Sequence, residues 1–345
     1  MPLTGAPYNT AAASLVRLGP FDVSILAADS MGVRSLATVV NACGVRLGID
    51  LGASLAPRRY GLPPHELELK ALERALERAA EEVQASDAIV ITHYHYDHYM
   101  RDRPELYSGK RLFVKDPEHN INWSQRGRAR RFLVEGGVAR SASVSYADGQ
   151  SFRVGDLTLD FSQAVWHGEP GTKVGRVLMV RARCNDESIV FASDVQGPAD
   201  PQAVEQLRAW AGARLLVLSG PPTYFAGFKV PEEAVQRGLE GLMELIRAHA
   251  AETIVVDHHL LRDLAYRERL APHLQAAEEE GVRLLTAAEF MGVEVNQLEA
   301  RRKELWGKEG KAEGGEAEED YWGVISSYSA QRMWSKGSPF MDKGY

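Results

Sequence analysis

The sequence has little cysteine, because Cys43 and Cys184 are the only two in 345 residues. Two cysteines do not make a disulfide framework, so we expect no disulfide and take a reducing, cytoplasmic environment as the default. Residues 1–13 lack the basic start and apolar run of a signal peptide. No apolar run is long enough to span a bilayer, so we expect no membrane partner.

The sequence also lacks a strong excess of one charge outside a single segment. The formal net charge is −7, and residues 308–320 hold six acids and two lysines, which contribute 2 − 6 = −4. The remainder is only mildly acidic, so charge neither demands nor excludes a nucleic-acid partner. A hydrophobic content of 45% is ordinary for a protein with a real core.

We predict one domain over residues 1–295, followed by a C-terminal extension over 296–345. Within the extension, residues 307–320 form an acidic, glycine-rich linker that cannot bury a core. The tail after it is rich in aromatic residues. Such a tail either docks, on the domain or on a second copy in a homo-oligomer, or is a disordered end.

The hydrophobic pattern predicts many strands and fewer helices. Short β-rich runs between turn residues predict strands at 21–28, 35–41, 45–49, 88–91, 111–115, 151–154, 157–165, 175–183, 188–193, 214–218, 253–256 and 282–285. Apolar residues three and four apart predict helices at 65–85, 121–135, 201–211, 231–250 and 262–279. Strands followed by strand–helix alternation indicate two sheets with helices outside them.

The most informative motif is His-Tyr-His-Tyr-Asp-His at residues 93–98, directly after the predicted strand 88–91. In extended chain, alternate residues share a face, so His93 and His95 point the same way. Asp97 and His98 then fall where the chain can bend toward a second ion. Imidazole and carboxylate ligands together suit zinc or a neighbouring first-row metal.

This motif resembles the signature His-x-His-x-Asp-His of the metallo-β-lactamase superfamily. The resemblance implies an α/β fold, a four-layer αββα sandwich, over roughly residues 15–295. Segments such as Asp29–Ser35, Leu55–Tyr60 and Asp257–Asp263 are similar to those of a mostly archaeal branch of metal-dependent hydrolases in that superfamily. That closer likeness implies no particular substrate.

The resemblance also implies three further metal ligands, in the order His, Asp, His. His167, Asp194 and His258 each follow a predicted strand, and His259 is the alternative to His258. His93, His95 and His167 would then hold one divalent ion and Asp97, His98 and His258 a second, with Asp194 between them. We expect Zn²⁺, with Mn²⁺ or Fe²⁺ as alternatives. Asp50 resembles an acid of the family that is usually structural.

Strand directions test this ligand set independently. The meander over 21–49 and the crossover through helix 65–85 place Asp29, Asp50 and His93 at one edge of the first sheet. The same argument places His167 with Asp194, and Asp194 with His258, at the carboxyl ends of the strands in the second sheet. Loops diverge into a crevice at such ends, which suits a binding site.

The predicted activity is therefore metal-assisted hydrolysis of a phosphodiester or another anionic substrate, either a small molecule or a nucleic acid. Two ions together activate water near neutral pH, and Asp97 could orient the attacking hydroxide. Predicted substrate contacts lie on loops near the same edge: Arg34, Arg58, Arg59, Lys173 and Tyr224. Arginine side chains can clamp a phosphate or carboxylate by paired hydrogen bonds.

Three alternatives stay open. The first is acyl hydrolysis, of the lactonase or thioesterase type. The second is a mononuclear iron dioxygenase; diiron oxygen reductases of this fold usually carry Glu where His95 stands, so they fit less well. The third is a non-enzymatic, metal-stabilised RNA-binding subunit that uses Arg126, Arg128, Arg130 and Arg131, although such runs are usually solvated helix faces.

The remaining histidines lie on or beside predicted helices. For His65, His119, His249 and His273 we therefore expect structural roles.

Overall fold

The computed structural model describes residues 15–307. Its strands are β1 (Val16–Leu18), β2 (Phe21–Ala28), β3 (Leu36–Ala42), β4 (Val45–Ile49), β5 (Ala88–Ile91), β6 (Arg111–Val114), β7 (Ser143–Tyr146), β8 (Ser151–Val154), β9 (Leu157–Phe161), β10 (Val165–Trp166), β11 (Arg176–Val177), β12 (Val180–Cys184), β13 (Glu187–Ser193), β14 (Ala213–Ser219), β15 (Ala251–Asp257) and β16 (Arg283–Leu285).

Helices cover the outer faces of the sheets. They are α1 (Glu66–Ala85), α2 (Trp123–Arg130), α3 (Val138–Ser141), α4 (Pro201–Ala209), α5 (Glu232–Arg247), α6 (Tyr266–Glu280), α7 (Ala287–Phe290) and α8 (Arg302–Leu305). The longest, α1, begins with a capping box in which His65 and Glu68 exchange hydrogen bonds with each other's backbone.

The strands form two large sheets and one small hairpin. The first sheet has the order β1-β2-β3-β4-β5-β6-β7, and the second has the order β16-β15-β14-β13-β12-β9-β8. Strands β10 and β11 pair only with each other within the described residues. The sheets pack face to face because both present apolar residues inward, including Ile25, Leu47, Phe161 and Phe191.

Each sheet carries helices on its other face. A second apolar cluster packs α1 against the first sheet through residues such as Ala79 and Ile89. A third packs α5 and α6 against the second sheet through residues such as Leu242, Leu270 and Ile254. The layers therefore follow the order helix, sheet, sheet, helix, which confirms the predicted four-layer sandwich.

The predicted strand directions are confirmed. Strands β2, β3 and β4 form an antiparallel meander, and β4 pairs parallel with β5. In the second sheet, β13, β14 and β15 are parallel neighbours. The carboxyl ends of these strands lie at one rim of the sandwich, where their loops diverge.

At that rim, three residues at or just after the ends of strands have backbone φ angles in the left-handed region. Asp50 has φ 49°, Ser193 has φ 55° and His258 has φ 56°. Strand β13 also carries a bulge between Phe191 and Ser193. Non-glycine residues in this conformation are strained, and such strain is concentrated at functional sites, where it redirects side chains.

The structure differs from the predicted elements where the chain bends. The predicted strands 157–165 and 175–183 are each broken, since the chain leaves the sheet to build the β10–β11 hairpin that precedes and follows His167. The predicted helix 121–135 changes to a π-helical turn over Arg131–Glu135. Strands β1 and β7, at the edges of the first sheet, were not predicted because they are short and weakly patterned.

The prediction of no disulfide is wrong. Cys43 and Cys184 form a disulfide bond across a sequence separation of 141 residues. Cys43 follows β3 and Cys184 ends β12, so the bond joins the two sheets. A count of two cysteines does not reveal this pairing, because their proximity depends on how the sheets stack.

Residues 296–307 pack on the sandwich. Leu298 joins the core beneath the first sheet, and Arg302 is fully buried in an ion pair with Glu68, Nη2 to Oε1 2.7 Å. The rest of the predicted extension, residues 308–345 with the aromatic tail, lies outside the described residues. Between residues 15 and 307, no helix is long and apolar enough to cross a membrane.

Candidate metal centre

The His-Tyr-His-Tyr-Asp-His motif lies immediately after β5, at the rim described above. His93 and His98 are fully buried, and the side chain of Asp97 is 13% exposed. The Nε2 atom of His93 lies 3.0 Å from Nδ1 of His95, so these two rings converge on one point.

Of the four overlapping groups of possible ligand atoms among the described residues at this rim, two together contain the seven predicted ligands. His93, His95, His167 and Asp194 make one group, in which the ligand atoms lie within 4.8 Å of one another. Asp97, His98 and His258 make the other. The structure thus brings together the seven side chains that the sequence analysis selected, in the two predicted sets.

One carboxylate oxygen lies at the centre of both groups. The Oδ2 atom of Asp194 is surrounded by the Nε2 atoms of five histidines: His167 at 3.0 Å, His98 at 3.4 Å, His258 at 3.4 Å, His93 at 3.7 Å and His259 at 3.9 Å. Ligand atoms of one tetrahedral zinc, with bonds of roughly 2.0–2.1 Å, are separated by about 3.3 Å. The spacing around Asp194 is therefore that of shared metal ligands.

Asp50 fixes the orientation of His98. Its Oδ2 atom lies 2.9 Å from Nδ1 of His98, and its two oxygens also accept hydrogen bonds from the backbone and hydroxyl of Thr92 at 2.8 and 2.6 Å. Because Nδ1 of His98 is engaged, Nε2 is the nitrogen left to face a metal. Such partners set the tautomer and ring orientation of metal-binding histidines.

Asp29 plays the same part for His258. Its Oδ2 atom lies 2.6 Å from Nδ1 of His258, and its Oδ1 accepts a hydrogen bond from Nε of Arg262 at 2.9 Å. The sequence analysis placed Asp29 at this edge without giving it a role, and it did not single out Arg262. The signal for Asp29 was its position at the end of β2.

Two of the other three histidine rings, those of His93 and His167, also have partners on Nδ1. Nδ1 of His93 lies 3.0 Å from the hydroxyl of Thr92, and Nδ1 of His167 lies 3.2 Å from Nε2 of Gln196. Gly168, which follows His167, has φ +88°, a backbone conformation that favours glycine. Each of these contacts leaves Nε2 directed at Asp194.

Buried charges divide the site into ionised and neutral groups. Burial would raise the pKa of Asp194, but His258 and His98 hold it well below its ordinary value. Burial would lower the pKa of His258, but Asp194 and Asp29 raise it to about 9. Burial lowers the pKa of His93 well below its ordinary value, and the neighbouring His98 and His95 lower it further.

The donor set fits a metal. Several ligand atoms are buried without a well-oriented hydrogen bond: Nε2 of His98, Nε2 of His167, Oδ1 of Asp194 and Nδ1 of His259. Buried polar atoms without partners are costly, and a cation between them would satisfy several at once. Imidazole nitrogens with carboxylate oxygens are typical ligands of zinc and of other first-row metals.

His259 stands beside the seven ligands. It groups with Asp194 and His258, but the group containing Asp97 and His98 is completed by His258. Its distance to Asp194 Oδ2, 3.9 Å, is the longest of the five. The geometry thus favours His258 as the ligand and leaves His259 at the margin of the site.

Gln125 links two ligand-bearing segments, and the sequence analysis did not identify it. It is fully buried, and its Oε1 accepts a hydrogen bond from the backbone amide of Tyr94 at 3.1 Å. Its Nε2 donates to the carbonyls of Val174 and Arg176 at 2.8 and 3.4 Å. These residues belong to the loop that returns from His167, so Gln125 ties that loop to the His93–His95 segment.

The predicted substrate residues occupy different environments. Arg34 is engaged in a double hydrogen bond with Glu299, at 2.7 and 2.8 Å. Arg58 and Lys173 are exposed, whereas Arg59 is buried and stacks on the ring of Tyr224 at 4.3 Å. Nη1 of Arg262 lies 3.4 Å from the hydroxyl of Tyr224, which connects this pair to His258.

The arginines of α2 and of the π-helical turn after it make two kinds of contact: some contact Tyr96, and others pair with neighbouring residues away from it. Arg128 stacks on the ring of Tyr96 at 4.4 Å, and Nη1 of Arg131 donates to the Tyr96 hydroxyl at 3.2 Å. Arg126 donates to the carbonyl of Glu118, and Arg130 pairs with Glu135 at 3.3 Å. Tyr96 lies between the ligands His95 and Asp97, so Arg128 and Arg131 bring positive charge to the metal rim.

Histidines expected to be structural have local partners. His65 caps α1, His119 pairs with Asp116 at 2.9 Å and His249 pairs with Glu280 at 3.0 Å. Nε2 of His273 lies 2.8 Å from the carbonyl of Leu239. Among the described residues, none of these four belongs to a group that could hold a metal.

Comparison with known families agrees with the fold. Residues 66–259, from the start of α1 to His259, match the family described as the beta-lactamase superfamily domain. The chain belongs to this superfamily. It therefore has the fold of the superfamily's metal-dependent hydrolases, with histidine and aspartate clusters that could bind metal.

This chain is also similar to archaeal proteins named UPF0282. One from Aeropyrum pernix is 52% identical over 292 residues, which cover 84% of this chain and 99% of the relative. Another, from Methanopyrus kandleri, is 40% identical over 296 residues, covering 81% and 97%. The chain belongs to the UPF0282 family as well.

Solved structures of similar shape are more distant. The metallo-beta-lactamase fold protein YhfI from Bacillus subtilis has a TM-score of 0.46 at 13% identity, covering 77% of this chain and 96% of that one. The isothiocyanate hydrolase from Delia radicum gut bacteria has a TM-score of 0.45 at 18% identity, covering 74% and 94%.

Proposed function

We propose that this UPF0282 protein is a dinuclear metallo-hydrolase that acts on a phosphodiester or another anionic substrate. The observation that carries the proposal is the position of Asp194 Oδ2, which lies within 3.7 Å of four imidazole nitrogens, two from each ligand set. A single tetrahedral ion takes four ligands, whereas seven converge here. Two ions, with Zn²⁺ as the first choice, would use them all.

His93, His95 and His167 would hold one ion, Asp97, His98 and His258 the other, and Asp194 would bridge them. When bound, such a pair lowers the pKa of water toward neutrality and polarises the scissile group of the substrate. Ligation by imidazole and carboxylate also agrees with Mn²⁺ or Fe²⁺.

Asp97 is the residue best placed to orient the attacking water. Burial would raise its pKa, but His98 and His258 hold the pKa below its ordinary value, so the carboxylate is ionised at neutral pH. Its Oδ2 lies 3.5 Å from Nε2 of His258, and its side chain retains a small exposed fraction. An ionised, partly accessible carboxylate can accept a hydrogen bond from a water molecule. That hydrogen bond would orient the water so that a lone pair of its oxygen faces the substrate.

Positive charge at the rim supports an anionic substrate. Arg101 and Arg128 both stack on Tyr96, each 4.4 Å from the ring centroid. The Arg128 charge contributes to lowering the pKa of His95, after burial and His167, which places Arg128 near the first ligand set. In a chain whose formal net charge is −7, cations gathered at this rim favour a negatively charged group there.

The test begins with the metal content of the purified full-length chain, followed by turnover of bis(p-nitrophenyl) phosphate beside lactone and thioester panels. We expect about two metals per chain, phosphodiester turnover, and loss of both in His93→Ala and His95→Ala. Unchanged metal content in these variants would refute the site. Turnover of acyl substrates only would replace the phosphodiesterase proposal by a lactonase or thioesterase.

A cytoplasmic location stays a prediction. The Cys43–Cys184 bond does not exclude it, because intracellular proteins of hyperthermophilic archaea are rich in disulfides. Oligomer formation through the tail and binding of RNA through α2 also stay predictions.

A further inference from the structure

Arg59 is a buried cation without an acidic partner. Its side chain belongs to a residue that is 7% exposed, and between residues 15 and 307 no carboxylate lies within 4.0 Å of its guanidinium. Nη2 donates to the carbonyl of Arg262 at 3.0 Å and to the hydroxyl of Tyr60 at 3.4 Å, while Nε has no hydrogen-bond partner. An uncompensated buried charge is costly, so its retention needs an explanation.

Other inward-facing arginines of this region each have a carboxylate. Arg262 pairs with Asp29 at 2.9 Å, Arg302 with Glu68 at 2.7 Å, and Arg34 with Glu299 at 2.7 Å. Arg59 differs from these three in having only aromatic and carbonyl neighbours. The charges of these three arginines are thus each balanced by a carboxylate, whereas the charge of Arg59 is not.

The backbone holds Arg59 in a fixed position. Arg59 and Leu62 exchange two backbone hydrogen bonds of 3.0 Å across a tight turn, with Tyr60 at φ 57° and Gly61 at φ 72°. A pair of positive φ values is typical of a type I′ turn, and it is strained at Tyr60. The turn presents the Arg59 side chain to the loop that contains Tyr224.

Aromatic rings then hold the guanidinium on its faces. The ring centroids of Tyr60 and Tyr224 lie 4.7 and 4.3 Å from Cζ of Arg59, and that of Phe225 lies at 5.8 Å. Stacking restrains the plane, and Nε at its edge keeps an N–H group without a partner. A preorganised guanidinium with a free edge donor matches the oxygens of a phosphate or carboxylate.

A short chain of contacts connects Arg59 to the second ligand set. Its Nη2 contacts the backbone of Arg262, whose side chain lies 3.3 Å from the ring nitrogens of His258 and 2.9 Å from Asp29. Arg58, which is exposed, precedes Arg59 in the chain. Arg262 is thus the single residue that stands between Arg59 and His258 in this chain of contacts.

We propose that Arg59 forms an anion subsite that binds a phosphate group of the substrate other than the group being hydrolysed. This inference rests on the proposed function and narrows it to substrates that carry a second phosphate, such as a nucleotide or a diphosphate ester. Tyr60 and Tyr224 position the guanidinium, and the exposed Arg58 adds positive charge next to Arg59 in the chain.

Thermal unfolding of the full-length protein, as isolated, tests the subsite with inorganic phosphate and pyrophosphate as probes at constant ionic strength. A ligand that binds only the folded state raises the melting temperature. We expect a rise of several degrees for the unaltered protein and little or no rise for Arg59→Gln. Without ligand, Arg59→Gln should melt at the same temperature or higher, since it removes an uncompensated buried charge.

Arg302→Gln and Arg46→Gln are matched controls, because each removes an arginine that has a carboxylate partner, Glu68 for Arg302 and Glu82 for Arg46. Both should lower the melting temperature without ligand and keep the response to phosphate. Arg59→Lys, which keeps the charge but not the planar fork, should keep part of the response. Should Arg302→Gln fail to fold, Arg46→Gln, whose arginine is partly exposed, still gives the comparison.

Two results would overturn the subsite: an undiminished phosphate response in Arg59→Gln, or a loss of ligand-free stability as large as in the controls. A response equally strong to sodium sulfate and to sodium acetate would also overturn it, since the effect would then not depend on phosphate. Phosphodiester turnover is measured separately. If phosphate raises the melting temperature only when Arg59 is present, but no phosphodiester is hydrolysed, the anion subsite is supported and the proposed hydrolase function is contradicted.

Discussion

The backbone amide of Tyr94 donates a hydrogen bond to the side-chain carbonyl of Gln125 at 3.1 Å. Tyr94 lies between His93 and His95, so this bond fixes the segment that presents both rings. The amide end of the same side chain donates to the carbonyl of Val174 at 2.8 Å, on the loop that follows His167. One buried glutamine thus sets the distance between the two parts of the first ligand set.

We therefore expect Gln125→Leu to weaken metal binding by the first ligand set. The change leaves the Tyr94 amide and the Val174 carbonyl without partners and frees the two segments to separate. Loss of such a supporting contact typically lowers metal affinity by about 10–100-fold. Metal stoichiometry and competition with a chromogenic chelator measure the effect.

Leu242→Ala is the control for general destabilisation. Leu242 is fully buried beneath the second sheet, and the substitution should cost about 2–5 kcal/mol of unfolding free energy. It should leave metal affinity unchanged. Equal metal loss in both variants would show that Gln125 acts only through stability.

Asp29→Asn should act on the second ligand set. The carboxylate accepts from His258 Nδ1 at 2.6 Å and from Arg262 Nε at 2.9 Å, whereas an amide has one acceptor oxygen and presents N–H groups to the other donor. We expect loss of roughly half of the bound metal at limiting concentration, because His258 is no longer held. Asp160→Asn, which removes a carboxylate that binds Arg181 and Arg183 away from the site, should retain full metal content. Full metal retention in Asp29→Asn would contradict the role given to Asp29.

Metal affinity should rise with pH. In the metal-free protein, Asp194 and Asp29 outweigh burial and raise the pKa of His258 to about 9, and Asp194 and Asp50 outweigh burial and raise the pKa of His98 well above its ordinary value. Both rings are then protonated at pH 7, and a metal must displace these protons. Below the pKa the proton competes, so affinity increases by about tenfold per pH unit for each proton displaced, up to about pH 9.

Zinc titrations between about pH 6.5 and 9, in two buffers of different ionisation enthalpy, measure this linkage. The difference in apparent binding enthalpy between the buffers gives the number of protons released. Release of no proton, with an affinity independent of pH, would contradict the protonation states inferred for His98 and His258.

Much of the site could be predicted because its signal is local. His93, His95, Asp97 and His98 lie within six residues after a buried strand, and the ends of β10, β13 and β15 carry the next residues in order. Strand direction follows from short turns and helical crossovers, so the common rim could be predicted without knowing the packing of the sheets.

The supporting contacts could not be predicted because they join distant parts of the chain. Asp29 and His258 are 229 positions apart, and Gln125 reaches Val174 across 49. The end of a strand places Asp29 at the rim but does not reveal its partner, and Gln125 stands out in no local pattern. The pairing of Arg34 with Glu299, 265 positions away, likewise could not be inferred from a loop arginine that looked free to bind substrate.

The disulfide leads to a prediction about stability. Cys43 and Cys184 are separated by 141 residues and lie in different sheets, so their bond closes a long loop of the unfolded chain. Chain-entropy arguments assign such a bond about 2–5 kcal/mol of unfolding free energy. Denaturant unfolding with and without reductant should show this loss, because reduction enlarges the unfolded ensemble.

The double variant Cys43→Ala/Cys184→Ala should match the reduced protein and should not respond to reductant. Equal stability of oxidised and reduced protein would show that the bond contributes nothing. Since the bond lies outside both ligand sets, metal content should be the same in the oxidised protein and in the double variant under conditions where both remain folded.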